Sequence, residues 1–182
     1  GVKYKDLKLD LLGNYQGYNL LTVLKSTDQL NCMGYNISKI NLYAGLEDVV
    51  ENTGVMGRWQ TLGYNPKIIA DTGHNFDGVS EVIKQLKNCA FKKLHMVIGF
   101  VNDKNIDEIL KLFPQDAKYY FTKANIPRAL ETEILFKKAT CFGLEGSIYQ
   151  SVNEALVAAK KYAESEDMIF VGGSTFVVAE VV

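Results

Sequence analysis

Several features that mark membrane, nucleic-acid-binding or secreted proteins are missing from this sequence. No run of 18 consecutive apolar residues occurs, and no apolar h-region of a secretory signal is found near the start. Lys and Arg number 20 and Asp and Glu 21, so no basic excess points to nucleic acid. The three cysteines, Cys32, Cys89 and Cys141, are odd in number and widely spaced, which indicates reduced thiols. We therefore expect a cytoplasmic protein that does not bind membranes or nucleic acid.

The length and composition fit one globular domain with a small appendage. Of the 182 residues, 47% are hydrophobic and 23% charged, close to the globular average. Residues 51–63 contain three glycines and show no clear period, which predicts a linker. Before this linker the pattern predicts one strand and two helices, at residues 7–12, 17–30 and 38–50. We place the boundary between the two parts after residue 54, giving segments 1–54 and 55–182.

After the linker, short apolar runs alternate with amphipathic stretches. The predicted strands are residues 68–70, 94–100, 119–121, 147–149 and 168–171. The predicted helices are residues 78–88, 106–112, 127–138 and 151–164. Pro127 fits the first position of the third of these helices, and Ser151 with Glu154 forms a capping box at the start of the fourth. This alternation predicts an α/β fold with a mostly parallel sheet and helices on both faces.

The stretch KIIADTGHN, residues 67–75, is the first candidate for a functional site. An apolar run ends in Asp71, and a flexible Thr-Gly step leads to His74 and Asn75. Open α/β sheets bind their ligands beyond the carboxyl ends of the strands. The pattern therefore predicts a buried parallel strand that delivers these polar side chains to the ligand-binding edge.

Four motifs occur in the order and spacing of a known domain. They are GRWQ at residues 57–60, DTGHN at 71–75, IGFVNDKN at 98–105 and GGST at 172–175. Together they resemble the C-terminal domain of folylpolyglutamate synthase/dihydrofolate synthase, in the Mur ligase superfamily. Upstream, GNYQGYN at residues 13–19 resembles the end of that enzyme's central ATPase domain. The resemblance implies a Rossmann-like domain at 55–182, and it identifies 1–54 as the end of a central ATPase domain.

The resemblance also implies a reaction. ATP phosphorylates a folate or dihydropteroate carboxylate, the amino group of L-glutamate attacks the acyl phosphate, and an amide, ADP and phosphate result. By resemblance, Arg58 and Asp71 contact ATP and Asn19 lies beside the adenine. His74 is placed near the phosphate or the incoming glutamate, and Ser174 near the same cleft. These are our candidate cofactor-binding (Asn19, Arg58, Asp71) and catalytic (His74, Ser174) residues, and no metal ligand is predicted in this chain.

Two departures from the family pattern affect these expectations. The turn Asp103-Lys104-Asn105 replaces the usual Asp-Lys-Asp, so the family's role for the third position does not carry over directly to Asn105. No G-x-x-x-x-G-K-[ST] loop, which cradles the triphosphate and holds Mg²⁺, occurs in the sequence. ATP and Mg²⁺ are therefore expected to be bound mainly by an N-terminal P-loop domain of the same protein, and the chain alone is expected to be inactive.

Simpler roles exist for three of the candidate residues. Arg58 can be a solvated linker arginine, Asp71 can cap the following helix, and His74 can be a loop histidine bonded to a backbone carbonyl. His95, inside an apolar strand, is predicted to be structural. A metal site made of Asp71, His74 and Asp77 is disfavoured because Asp77 is expected to cap the helix that follows it.

Two other functions remain open. A murein peptide ligase uses the same type of domain, but the Asp-Asn-Pro-Arg signature typical of those enzymes is absent. A non-catalytic, Rossmann-like nucleotide-sensing domain is the alternative from a different class. The sequence does not encode the choice between dihydropteroate and reduced folate, nor the oligomeric state.

Overall fold

The computed structural model describes residues 4–102 and 105–182, so the turn residues Asp103 and Lys104 lie outside the described residues. The helices are α1 (Gln16–Cys32), α2 (Lys39–Glu47), α3 (Val49–Thr53), α4 (Phe76–Lys87), α5 (Asp107–Leu110), α6 (Thr132–Cys141), α7 (Val152–Tyr162) and α8 (Thr175–Ala179). The strands are β1 (Gln60–Tyr64), β2 (Lys67–Asp71), β3 (Leu94–Ile98), β4 (Lys118–Phe121), β5 (Gly146–Ile148) and β6 (Met168–Gly172).

The six strands form one sheet in the order β1-β2-β6-β3-β4-β5, parallel except for β1, which pairs antiparallel with β2. Helices α4, α5 and α6 pack on one face of the sheet, and α7 and α8 pack on the other. The helices change from one face to the other where the chain returns from the edge strand β5 to the central strand β6. A right-handed crossover that runs in the opposite direction along the sheet places its helix on the opposite face. The predicted α/β fold class is confirmed.

The local sequence explains these elements. All five residues of β3 and all five of β6 are buried, as expected for central parallel strands covered on both sides. In α4 the apolar residues Val79, Val82, Ile83 and Leu86 recur at helical spacing and face the core. The predicted capping box of α7 is present, since Ser151 Oγ accepts a hydrogen bond from Glu154 N at 3.2 Å.

Four predictions about local structure were wrong. Residues 7–12 form no strand, because no strand of the described chain lies beside them, and Asp10 N instead donates to Leu46 O at 3.2 Å. The predicted linker at 51–63 contains the end of α3 and most of β1. Strand β1 was not predicted because its sequence shows no alternating apolar pattern. Pro127 lies in a turn before α6, which begins at Thr132. Asn75, not Asp77, caps α4, and its side chain accepts from Gly78 N at 2.8 Å.

His95 is structural, as predicted, and belongs to a buried polar cluster at the amino ends of the strands. Its Nδ1 lies 2.9 Å from the Tyr120 hydroxyl, and its Nε2 lies 3.2 Å from Asp167 Oδ2. Asp167 also accepts from Lys93 N and Glu164 N, at 3.0 and 2.8 Å. This carboxylate therefore joins the start of β3 to the loop between α7 and β6.

We expect Asp167→Asn to lower the free energy of unfolding by about 1–3 kcal/mol at pH 7, because an amide cannot accept all three hydrogen bonds. Burial raises the pKa of Asp167, but the hydrogen bonds from Glu164 N and His95 and the His95 charge outweigh it, so the pKa lies below its ordinary 3.8. The stabilisation is thus present above pH 3.8 and is lost as the pH falls through the lower folded-state pKa. Urea unfolding at several pH values measures this, with Glu166→Gln as the control for an exposed neighbouring carboxylate. Equal stability of the two variants at pH 7 would contradict it.

Candidate functional site

The carboxyl ends of β2, β6 and β3 lie side by side, and this edge holds the predicted site residues. Asp71, at the end of β2, is in register with Gly172 of β6, and Gly172 is in register with Ile98 of β3. The sheet therefore brings the DTGHN motif next to the GGST motif, although about 100 residues separate them along the chain. The two motifs thus meet at one edge of the sheet.

Asp71 is fully buried and accepts three hydrogen bonds. Its Oδ2 accepts from the Tyr15 hydroxyl and from Trp59 N, both at 2.8 Å, and its Oδ1 accepts from Gly73 N at 2.7 Å. Burial raises the pKa of this carboxyl group, while these hydrogen bonds and the nearby charge of Arg58 oppose the rise. Asp71 does not cap α4, because Asn75 does, so that alternative role was wrong.

The loop Gly57-Arg58-Trp59 holds an arginine between two residues of unusual backbone conformation. Gly57 has φ 72° and Trp59 has φ 51°, both in the left-handed region. For a large side chain this conformation costs roughly 1–2 kcal/mol, so Trp59 is held there by its contacts. Its amide donates to Asp71, and its ring is buried in the core. The exposed Arg58 is thereby fixed close to Asp71, and its charge opposes the rise that burial causes in the pKa of Asp71 and in the pKa of Tyr15.

We expect Gly57→Ala to destabilise the protein by about 1–3 kcal/mol, because an added Cβ would lie 2.7 Å from Val178 Cγ1 and 2.8 Å from Thr72 Cγ2. Gly54→Ala is the matched control. Gly54 has φ 65°, but its added Cβ would have no heavy atom of the described chain within 4 Å. Urea unfolding should show a clearly larger loss for Gly57→Ala, and equal losses would mean that only the backbone conformation matters.

His74 and Ser174 lie at the same edge in different surroundings. His74 is exposed, and its Nδ1 lies 3.0 Å from Thr72 O, which assigns the Nδ1–H tautomer and makes Nε2 the acceptor nitrogen of the neutral ring. Ser174 is buried and caps α8, with its Oγ accepting from Phe176 N at 3.2 Å. The bond to a backbone carbonyl is the simpler role foreseen for His74. The predicted catalytic roles of both residues stay predictions.

Two buried hydroxyl groups at this edge have no hydrogen-bond partner within the described residues. Thr72 Oγ1 follows β2, and Thr122 Oγ1 follows β4. Buried polar groups in folded proteins are nearly always paired, and exceptions gather where a water or a ligand completes the pairing. The edge therefore combines the Arg58 guanidinium, the buried Asp71 carboxylate and two hydroxyls that have no partner within the described residues.

Asn19 is not brought to this edge in the way that Arg58 and Asp71 are. It is exposed on α1, and its side-chain amide donates to Gln16 Oε1 at 2.7 Å. It lines an apolar groove of about 380 Å³ between α1 and α2, with Leu20, Leu42 and Leu46 among the lining residues. Tyr15, at the start of α1, does reach the site, and it was not predicted from the sequence as a site residue. No periodicity or spacing distinguishes a tyrosine that bonds a residue 56 positions away.

A second cavity, of about 270 Å³, lies beside the Arg58 loop. Its lining includes Arg58, Trp59 and Gln60 together with Asp10, Leu11, Leu12 and Val50. The cavity is therefore lined jointly by residues from the 1–54 and 55–182 segments. Arg58 faces a space that both parts of the chain shape.

The described residues show no resident metal centre and no membrane span. Within residues 4–102 and 105–182, no group of three or more His, Cys, Asp or Glu side chains is placed to hold a metal ion. In the same ranges no helix is both long and apolar enough to cross a bilayer.

Comparison with known proteins identifies the family. A family model described as Mur ligase, glutamate ligase domain matches residues 57–175, which is more than half of the chain. The chain belongs to this family. The resemblance predicted from the motifs is thus confirmed, and the matched range begins at Gly57 and ends at Thr175, the first residue of α8.

Named relatives of this glutamate ligase domain are ligases. The probable bifunctional folylpolyglutamate synthase/dihydropteroate synthase of Haloferax volcanii is 30% identical over 178 residues, which are 96% of this chain and 20% of that protein. The UDP-N-acetylmuramoyl-L-alanyl-D-glutamate–2,6-diaminopimelate ligase of Listeria innocua is 25% identical over 177 residues, which are 92% of this chain and 34% of that protein.

A solved folylpolyglutamate synthase of Mycobacterium tuberculosis, complexed with ADP and AMPPCP, superposes with a TM-score of 0.83 at 25% identity. The superposition covers 98% of this chain and 41% of that protein. The glutamate ligase domain and its preceding helices thus span between about a fifth and about two-fifths of the lengths of these proteins.

Proposed function

We propose that this chain is the C-terminal part of an ATP-dependent ligase that adds L-glutamate to folate or dihydropteroate. The observation that carries the proposal is the Arg58–Asp71 arrangement at the carboxyl edge of a Mur-type glutamate ligase domain. The folylpolyglutamate synthase relative of Haloferax volcanii and the ADP-bound neighbour support it. The region 1–54 would be the end of a central ATPase domain, and residues 55–182 the C-terminal domain.

In the proposed reaction the γ-phosphoryl group of ATP passes to the substrate carboxylate, giving an acyl phosphate and ADP. The amino group of glutamate then attacks the acyl carbon, and phosphate leaves as the amide forms. Arg58 would bind a phosphate oxygen through its charged fork, a contact that typically contributes about 1.5–3 kcal/mol. Asp71 would hold the Arg58 loop, and its remaining acceptor position would receive a nucleotide hydroxyl once the residues that bury it make room for the nucleotide.

His74 and Ser174 are proposed to act on the reacting end. An acceptor Nε2 on His74 would take the proton that the glutamate amine loses as the amide forms. Ser174, whose hydroxyl already accepts from Phe176 N, would donate its own proton to an oxygen of the phosphoryl group. Asn19 would contact the adenine from α1 once the remaining domain completes the cleft.

Mg²⁺ would be held mainly by the P-loop domain, because the described residues offer no cluster of metal ligands. When bound there, it would neutralise charge on the triphosphate. The triphosphate cradle is likewise assigned to that domain, since the 182 residues contain no P-loop.

A direct test uses the full-length protein with ATP, Mg²⁺, L-glutamate and either dihydropteroate or tetrahydrofolate. We expect ADP release to depend on both glutamate and the pteridine substrate, with one glutamylated product for each ADP. A parallel reaction with a uridine-nucleotide muramyl peptide and diaminopimelate tests the murein ligase alternative, which the Listeria relative favours. ADP release only in the muramyl reaction would overturn the proposal.

A further inference from the structure

The Tyr15 hydroxyl occupies a specific place in the Arg58–Asp71 arrangement. It donates to Asp71 Oδ2 at 2.8 Å, the same oxygen that accepts from Trp59 N at 2.8 Å. Asp71 Oδ1 is engaged by Gly73 N, the residue that leads to His74. A single carboxylate thus joins the start of α1, the Arg58 loop and the end of β2.

We propose that Tyr15 is a positioning residue of the nucleotide site: its hydroxyl fixes the Asp71 carboxylate so that Asp71 holds the Arg58 loop in its binding conformation. This inference rests on the proposed function, because it assigns Tyr15 a task in the site that Arg58 and Asp71 form. Tyr15 does not itself need to contact the nucleotide.

The geometry of the loop gives this hydrogen bond its effect. The left-handed Trp59, φ 51°, is strained and depends on Asp71 accepting its amide proton. Without the Tyr15 hydroxyl, Asp71 keeps one donor on each oxygen, Gly73 N on Oδ1 and Trp59 N on Oδ2, and it loses the side-chain donor that fixes the position of Oδ2 from the side of α1. Burial and the negative charge of Asp71 raise the pKa of the Tyr15 hydroxyl, so it keeps the proton that it donates.

Tyr15 also links the two parts of the chain. Asn14 N donates to Gln85 Oε1 at 2.7 Å, and Gln85 Nε2 donates to Leu12 O at 3.1 Å, which fastens the same segment to α4. Since these neighbouring bonds do not involve the tyrosine hydroxyl, Tyr15→Phe should keep the segment docked. The variant therefore removes the positioning contact while leaving the packing of α1 in place.

The test is calorimetric titration of the full-length protein with ADP, together with steady-state kinetics in ATP. For Tyr15→Phe we expect the Kd for ADP and the KM for ATP to rise about tenfold, the effect of one charge-assisted hydrogen bond, with kcat at saturating ATP within about twofold of wild type. Tyr18→Phe, which removes the hydroxyl of an exposed tyrosine on α1, is the control and should leave all three unchanged.

The outcomes separate the inference from the function on which it rests. If Arg58→Ala weakens ADP binding and Tyr15→Phe does not, the positioning role is wrong and the site assignment stands. If neither variant changes ADP binding, the nucleotide site itself is wrongly placed. Tighter ADP binding by Tyr15→Phe would also overturn the inference, because the hydroxyl would then compete with the nucleotide for Asp71. A fall in kcat with unchanged KM would mean that the tyrosine serves another step.

Discussion

Replacing Arg58 by alanine in the full-length protein is expected to lower kcat/KM for ATP by about 10- to 150-fold, the effect of losing a contact of about 1.5–3 kcal/mol. The side chain is exposed and the backbone of its loop is held by Gly57, Trp59 and Asp71, so the melting temperature should stay within about 1 °C of wild type. The loss in activity would thus reflect the missing charge and not unfolding.

Two further variants sharpen the Arg58 experiment. Arg58→Lys keeps the charge but loses the planar fork, so it should recover only part of the activity. Lys137→Ala removes an exposed cation on α6 and should leave kcat/KM unchanged. Equal activity of Arg58→Ala and Lys137→Ala would show that Arg58 is a solvated loop residue.

Replacing Asp71 by alanine is expected to have the largest effect on stability, about 3–5 kcal/mol at pH 7. The substitution leaves the amides of Trp59 and Gly73 and the Tyr15 hydroxyl without their acceptor in a buried position. Urea unfolding of the chain measures the loss, and Asp77→Ala, an exposed carboxylate in the first turn of α4, is the control. A loss below 1 kcal/mol for Asp71→Ala would show that its hydrogen bonds do not hold the loop.

The pH dependence of this loss should have the opposite sign to that of Asp167. Because burial raises the pKa of Asp71 above its ordinary 3.8, the folded state binds this proton more readily than the unfolded state. The contribution of Asp71 to stability is then fully present below pH 3.8 and is reduced as the pH rises through the folded-state pKa. The gap between wild type and Asp71→Ala should widen between pH 7 and pH 4, whereas the gap for Asp167→Asn should begin to narrow at the acid end.

The sequence predicted the parts of the fold that depend on local pattern. Continuous apolar runs identified the central strands β3 and β6, helical spacing identified α4, and a capping box identified α7. Strand β1 escaped prediction because none of its residues is buried and its pairing with β2 alone defines it. Residues 7–12 carry a strand pattern without a neighbouring strand in the described chain, and a strand forms only when a partner supplies its hydrogen bonds.

The candidate site, like the fold, could be predicted from the sequence only in part. An acid at the end of an apolar strand is visible in the sequence, so Asp71 and its edge were found. The three donors that surround Asp71 come from positions 15, 59 and 73, and only the folded chain brings them together. The left-handed conformation of Trp59 is also set by tertiary contacts, because nothing in GRWQ marks a tryptophan for it. The sequence therefore pointed to the edge that carries the candidate site, and the structure revealed how the Arg58 loop is held there.

The central claim is that this chain supplies one side of a nucleotide site that another domain completes. Calorimetry with ADP, performed on the 182-residue chain and on the full-length protein under the same conditions, tests it most directly. We predict tight binding by the full-length protein and binding at least 100-fold weaker by the chain, since a one-sided site leaves much of the ligand in water. Equally tight binding by the chain alone would contradict the account and would favour a self-contained nucleotide-sensing domain.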